Sequence, residues 1–207
     1  MNLAGKTILV TGGARRIGRT ISLAAAQAGA NVIIHHNNSQ QEAEKVAEEI
    51  RGLGSQVWIL QADLEDPSQA IGLFNRFRDL TSIDALINNA AIFAPGSALS
   101  TSLETWQQHL AINLTAPFLL SQAFARQLLP NQEGRILNIL DWRALRPGID
   151  HFAYTISKAA LAAMTHALAV GLAPHIIVNG LAFGAILPPA DGGNTDKIIQ
   201  LVPAKRW

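Results

Sequence analysis

Short apolar, β-branched runs alternate along the chain with longer segments in which apolar residues return every three or four positions. The runs cover residues 7–11, 31–36, 56–61, 85–88, 135–140 and 175–179. Between them, residues 16–28, 40–52, 67–80, 103–129 and 151–173 carry the helical period, and the fourth segment is long enough to expect one break. Ile8-Leu9-Val10 and Ala85-Leu86-Ile87 are apolar without alternation, as strands covered on both faces should be. Strict alternation of strand and helix with short connections predicts a doubly wound α/β fold, a mostly parallel sheet with helices on both faces. The last part fits less well. Pro188-Pro189 and Gly192-Gly193 mark a loop, and residues 196–202 a short helical piece.

At 207 residues the expectation is a single domain over 1–207, and 49% apolar residues predict a large buried core. Sixteen basic against fifteen acidic residues, with no long run of either sign, leave no electrostatic footprint for nucleic acid or an anionic membrane. Without cysteine there is neither a disulfide framework nor a thiolate metal site, and no metal is expected. The most apolar stretch, 159–173, is interrupted by Thr165, His166 and Gly171 and falls short of the ~20 residues of a membrane span. The N-terminal residues lack the order of a secretion signal. The expectation is therefore a cytoplasmic enzyme with a small-molecule substrate, and neither nucleic acid nor membrane as partner.

The first strand runs directly into Thr11-Gly12-Gly13-Ala14-Arg15-Arg16-Ile17-Gly18, and a helix follows at once. Such a turn lets backbone amides and a helix N-terminus approach a pyrophosphate; taken alone, it would serve a tight connection equally well. An NAD-binding chain places a carboxylate at the end of the second strand to hold the ribose 2′-hydroxyl. Here that position reads His35-His36-Asn37-Asn38-Ser39. Arg15 would instead pair with a 2′-phosphate, helped by Asn38 and Ser39, unless it is a solvated surface arginine. The cofactor expected is NADPH rather than NADH.

Tyr154, the one tyrosine of the chain, stands four residues before Lys158, so the phenol and the ammonium share a helix face. A nearby cation favours phenolate, and the expectation is a tyrosine pKa lowered toward neutrality in a proton donor.

With Asp63, Asn88-Asn89-Ala90-Ala91 and Asn113 in order, the chain resembles the short-chain dehydrogenase/reductases from Lys6 to about Trp207. The resemblance implies a Rossmann fold and a cofactor site over Gly12, Arg15, Arg16, Ile17, Gly18 and His36 to Ser39. It implies that Asp63, flanked by Ala62 and Leu64, meets the adenine edge, and that Asn89, Ala90 and Ala91 support the cofactor beside strand 4. Asn113 would hold a helix carbonyl and a proton-relay water. Tyr154 and Lys158 would be the catalytic pair, with Lys158 also on the nicotinamide ribose. Gly184 and Ile186 would lie along the nicotinamide, with Phe183 where the family has proline.

Two departures point to a subgroup. The usual middle glycine of the loop is Arg16, and the serine that polarises a carbonyl is Asp141. With Phe93 and the segment from His35 to Ser39, they are similar to the pteridine reductases, in which the matching arginine faces the substrate and phosphates, the phenylalanine stacks on the pterin ring and the aspartate joins the catalytic centre. Ala91 and Asn38 depart from that subgroup's serine and arginine. Each feature has a plainer reading: Phe93 as a core aromatic, Arg16 as a surface residue, Asp141 as lost activity. The implied function is an NADPH-dependent reductase passing hydride to a pterin-like C=N bond, with Tyr154 and Asp141 supplying protons and Arg16 and Phe93 holding the ring. The alternatives are a carbonyl or 3-oxoacyl reductase using Tyr154 alone, and a catalytically silent NADPH-binding protein. Family members continue with one more helix and a final strand, so that strand is expected to be missing. A homo-oligomer, dimer or tetramer, is implied by the resemblance alone.

Overall fold

The structure, a computed structural model, describes residues 3–77, 82–188, 199–200 and 202–206. Six parallel strands, β1 (Thr7–Val10), β2 (Asn31–His36), β3 (Val57–Gln61), β4 (Ala85–Asn88), β5 (Gly134–Asp141) and β6 (Ile176–Phe183), form one sheet in the order β3-β2-β1-β4-β5-β6. The chain winds outward from β1 to β3, then crosses back to lay β4 against the other side of β1. That reversal opens a crevice beyond the carboxyl ends of β1 and β4, where folds of this kind bind ligands.

Helices α1 (Arg16–Gln27), α2 (Gln40–Gly52), α3 (Pro67–Asn75), α4 (Leu103–Leu110), α5 (Ala116–Gln127) and α6 (Phe152–Gly171) complete the layers. Successive strand residues face opposite sides of the sheet. Leu9, Ile33, Leu86 and Ile136 therefore join Phe74 and Phe124 in one core, while Ile8, Val10, Val32 and Ile34 join Val46 and Ile50 in the other. Burial on both faces is the physical reason the central strands show no polar alternation. No helix among the described residues is long and apolar enough to cross a membrane.

The break expected within 103–129 is a widened turn at Ala111–Thr115, a π-helical segment between α4 and α5. Pro117 has no N–H to give to the carbonyl of Asn113 four residues back, so the regular ladder cannot pass through this point. At the helix starts, the side chains of Asp66 and Ser102 accept from the backbone N–H of Ser68 and Thr105.

Strand β6 runs four residues past the expected 175–179. Asn179 and Gly180 pair with β5, opposite Leu137 and Asn138, and the ladder holds to Asp141 opposite Phe183. Among the described residues β6 is an edge strand, with Ile177 and Leu181 exposed. The third helix, expected over 67–80, ends at Asn75, and residues 78–80 lie outside the described residues. So do Pro189, Gly192, Gly193 and most of the helical piece expected over 196–202.

Candidate active site

The turn after β1 is built on its neighbours. Thr11 Oγ1 accepts from the N–H groups of Asn89 and Ala90 at 2.9 and 3.0 Å and donates to the Ile87 carbonyl at 3.2 Å. The Asn89 amide donates to the carbonyls of Thr11 and Gly12 at 2.8 and 3.2 Å, tying the exit of β4 to the turn. Gly12 sits at φ +60, and a Cβ on Gly18 would lie 2.0 Å from the Gly12 carbonyl oxygen. Only glycine lets the first turn of α1 press this closely on the loop. The orphan N–H groups of the helix start then border the crevice. That is a cradle shaped for a pyrophosphate.

Arg16, in the place of the family's glycine, keeps the left-handed backbone at φ +50. For a side chain with Cβ this costs about 1–3 kcal/mol. Its guanidinium donates to the Pro188 carbonyl at 2.7 Å, bridging the loop after β6. Ile17 is half-buried beside it.

On the other side of the turn, Arg15 is exposed but not simply solvated, because it pairs with Glu42 on α2. The guanidinium holds the Glu42 carboxyl below the usual carboxylate range. A 2′-phosphate at Arg15 would therefore compete with a carboxylate already there. Asn37 and Asn38 are exposed, and Ser39 precedes α2. His36 is buried; its Nδ1 lies 3.2 Å from the Asn37 carbonyl, and its Nε2 has no partner among the described residues. Ala62 and Leu64 are buried around a half-buried Asp63, whose carboxylate accepts from Glu65 N–H at 2.9 Å.

Strand β5 delivers Asp141. Its Oδ1 accepts from the Arg143 N–H at 2.8 Å, capping a single 3₁₀ turn at Trp142–Ala144, and its Oδ2 accepts from the Tyr154 phenol at 3.0 Å. Tyr154 and Lys158 are both buried on α6. Lys158 donates to the Ile139 carbonyl at 2.7 Å, with its nitrogen 5.8 Å from the centre of the Tyr154 ring.

The expected phenol acidity is corrected here. Burial and then the Asp141 carboxylate raise the Tyr154 pKa well above the usual phenol value, so the hydroxyl stays protonated. Burial also lowers the Lys158 ammonium from 10.5 to about 8, against the pull of Asp141. Desolvation outweighs the cation because the lysine points at a carbonyl and the tyrosine at an anion.

Asn113 is fully buried in the widened turn. It accepts from the Ile92 N–H at 2.9 Å and donates to the Ile92 carbonyl at 3.1 Å and to Ser157 Oγ at 3.0 Å. Ser157 Oγ in turn donates to the Tyr154 carbonyl at 2.7 Å. The helix carbonyl expected for Asn113 is replaced by these partners, so the residue clamps the loop after β4 to the helix carrying Tyr154.

That loop presents Phe93, which is 54% exposed and so no core aromatic. Its ring stacks on His151 at 3.8 Å and 8° and meets Tyr154 edge-on at 4.6 Å and 84°. The Arg143 guanidinium stands 5.8 Å from the Phe93 centroid and holds Asp150 through two contacts of 2.6 and 3.1 Å. This pairing depresses the Asp150 carboxyl from 3.8 to about 2. Backbone bonds from Gly96 to Asp150 and from Phe152 to Gly96 fix the loop to the start of α6. Ala91 is exposed in the same loop, and Gly184 and Ile186 are exposed just past β6.

His35, beneath the glycine turn, was read only as part of the segment to Ser39, and three residues of this region escaped the sequence reading as site residues: Arg143, Asp150 and His151 around Phe93. These three carried a local signal, a cation and a His/Asp pair within the connection from β5 to α6.

A family model described as short chain dehydrogenase matches residues 6–198. The 3-oxoacyl-(acyl-carrier-protein) reductase of Synechocystis sp. is 31% identical over 208 residues, 99% of this chain and 84% of that protein. FabG of Aquifex aeolicus, a reductase of the same description, is 36% identical over 189 residues, 90% and 76% of the two chains. Among solved structures, FolM alternative dihydrofolate reductase 1 from Brucella canis, complexed with NADP, superposes with a TM-score of 0.90 at 36% identity, covering 100% of this chain and 83% of that one.

Proposed function

The chain belongs to the short chain dehydrogenase family, as an NADP-dependent oxidoreductase, and we propose that it reduces a C=N bond in a pterin-like ring. The observation that carries this reading is the phenol of Tyr154 donating to the Asp141 carboxylate beside an exposed Phe93.

A ketone accepting hydride develops negative charge on oxygen, and a carboxylate at that place repels it. A ring nitrogen that gains a proton as its carbon gains hydride passes instead through positive charge, which the same carboxylate stabilises. NADPH, when bound, supplies the hydride from its nicotinamide C4. The partly exposed Asp141 carboxyl takes up a proton from solvent and hands it to the Tyr154 oxygen as the phenol passes its own proton to the ring nitrogen, so no phenolate forms beside the carboxylate. Lys158 would hold the nicotinamide ribose, and Asn113 keeps Tyr154 and the Phe93 loop in register. Phe93 offers its face to the ring, with Arg16 at the phosphate side of the crevice.

The relatives favour a second reading, a 3-oxoacyl reductase in which Tyr154 acts alone. NADPH consumption across dihydropterins, dihydrofolate, 3-oxoacyl thioesters and small ketones separates the two. Turnover confined to the pterin class is expected. Turnover confined to the oxo compounds overturns the proposal.

A further inference from the structure

We infer that His35 is a positioning residue for the cofactor cradle, a neutral imidazole strut between the glycine turn after β1 and the adenine side after β3. The inference rests on the dinucleotide reading of this crevice and adds to it a residue outside the expected binding set. His35 lies next to last on β2 and is 2% exposed. Its Nδ1 accepts from the Gly12 N–H at 3.2 Å, and its Nε2 lies 3.1 Å from the Ala62 carbonyl.

Together these two contacts define one protonation state. A carbonyl needs a donor, so the proton is on Nε2; a backbone N–H needs a lone pair, so Nδ1 is bare. A doubly protonated ring would set one N–H against another at Gly12. Burial pushes the imidazole down to about 4, with His36 on the same strand and Arg76 beyond α3 acting in the same sense. The Ala62 carbonyl and Asp63 act against it. Main-chain bonds run along the same path, from Gly13 N–H to the His35 carbonyl and from Ala62 N–H to the His36 carbonyl. The side chain thus fixes the distance between the turn and the residue before Asp63. By taking the Gly12 N–H inward, it holds the turn in the shape that leaves the amides at the start of α1 facing the crevice.

The test is calorimetric titration of the full chain with NADPH, beside heteronuclear NMR of the imidazole nitrogens. In the native chain His35 should stay neutral with its proton on Nε2 from neutral pH down to about 4. His35→Leu should weaken NADPH binding by about tenfold or more, the loss expected for a buried hydrogen bond. His35→Asn, whose amide oxygen takes the place of Nδ1 and still accepts from Gly12, should recover most of that affinity. His35→Gln reaches only the Ala62 side and should recover less. A folded His35→Leu chain with native affinity overturns the inference, as does a His35 ring that titrates near 6.5. Should the leucine variant fail to fold, equal NADPH affinity in the asparagine and glutamine variants overturns it. Failure of the native chain itself to bind NADPH would overturn the dinucleotide reading instead, and the NMR result would still decide the tautomer.

Discussion

Replacing Asp141 with asparagine changes one charge and very little shape. The new side chain keeps an oxygen for the Arg143 N–H, so the short turn after β5 stays capped, and asparagine is as good a cap as aspartate. What is lost is the anion 3.0 Å from the Tyr154 oxygen and the group that reprotonates it. A hydrogen bond to a charged group contributes roughly 1.5–3 kcal/mol. The Asp141 side chain is only partly buried, so the lower half of that range, about 2 kcal/mol, is the appropriate figure. At about 1.4 kcal/mol per tenfold, kcat on a dihydropterin should fall about thirtyfold. NADPH affinity, measured separately by fluorescence titration, should hold, because Asp141 touches no part of the phosphate or adenine side. The steady-state rate of NADPH consumption under saturating dihydropterin reads the effect directly. Undiminished turnover in Asp141→Asn would refute the reasoning, since neither the charge nor the relay would then matter.

Three further outcomes are expected. Phe93→Ala should weaken binding of a pterin analogue by on the order of 1 kcal/mol through loss of a stacked face, with NADPH titration unchanged; untouched analogue affinity would leave Phe93 without a substrate role. Arg15→Ala should narrow the preference for NADPH over NADH, while Glu42→Gln, which frees the arginine for a 2′-phosphate, should widen it severalfold in the same calorimetric comparison. The folded chain holds Lys158 at about 8 against 10.5 when unfolded, so between those values the unfolded chain binds the extra proton and stability rises with pH. Denaturant titrations of the cofactor-free chain should show that rise, and Lys158→Met should abolish it along with activity.

How much of this was legible depends on where the deciding contact lies in the chain. The central strands announce themselves because both faces are buried; Ile8, Leu9 and Val10 enter two different cores and all must be apolar. The carboxyl half of β6 is hidden because Asn179-Gly180 owes its extended form to β5 rather than to its own propensities. The glycine turn, Asn89, Asn113, Tyr154 and Lys158 were recognisable by order and spacing. Their electrostatics were not. Phenol acidity is set by Asp141, thirteen positions away, and by burial, neither of which an i, i+4 pattern contains. The partner of Arg15 lies on the next helix, and the strut at His35 joins segments that meet only once the sheet is assembled. Phe93 illustrates the same limit: periodicity does not tell an aromatic that fills a core from one that stacks on His151 at the mouth of a crevice.

The account turns on where the hydride goes. NADPH carrying deuterium at the transferable C4 position, incubated with the chain and a dihydropterin, should yield a tetrahydropterin with one deuterium on the carbon of the former C=N bond. NMR of the product locates it. A reduced pterin free of the label, with deuterium found only in the alcohol carbon of a reduced 3-oxoacyl substrate offered in parallel, would contradict the proposal.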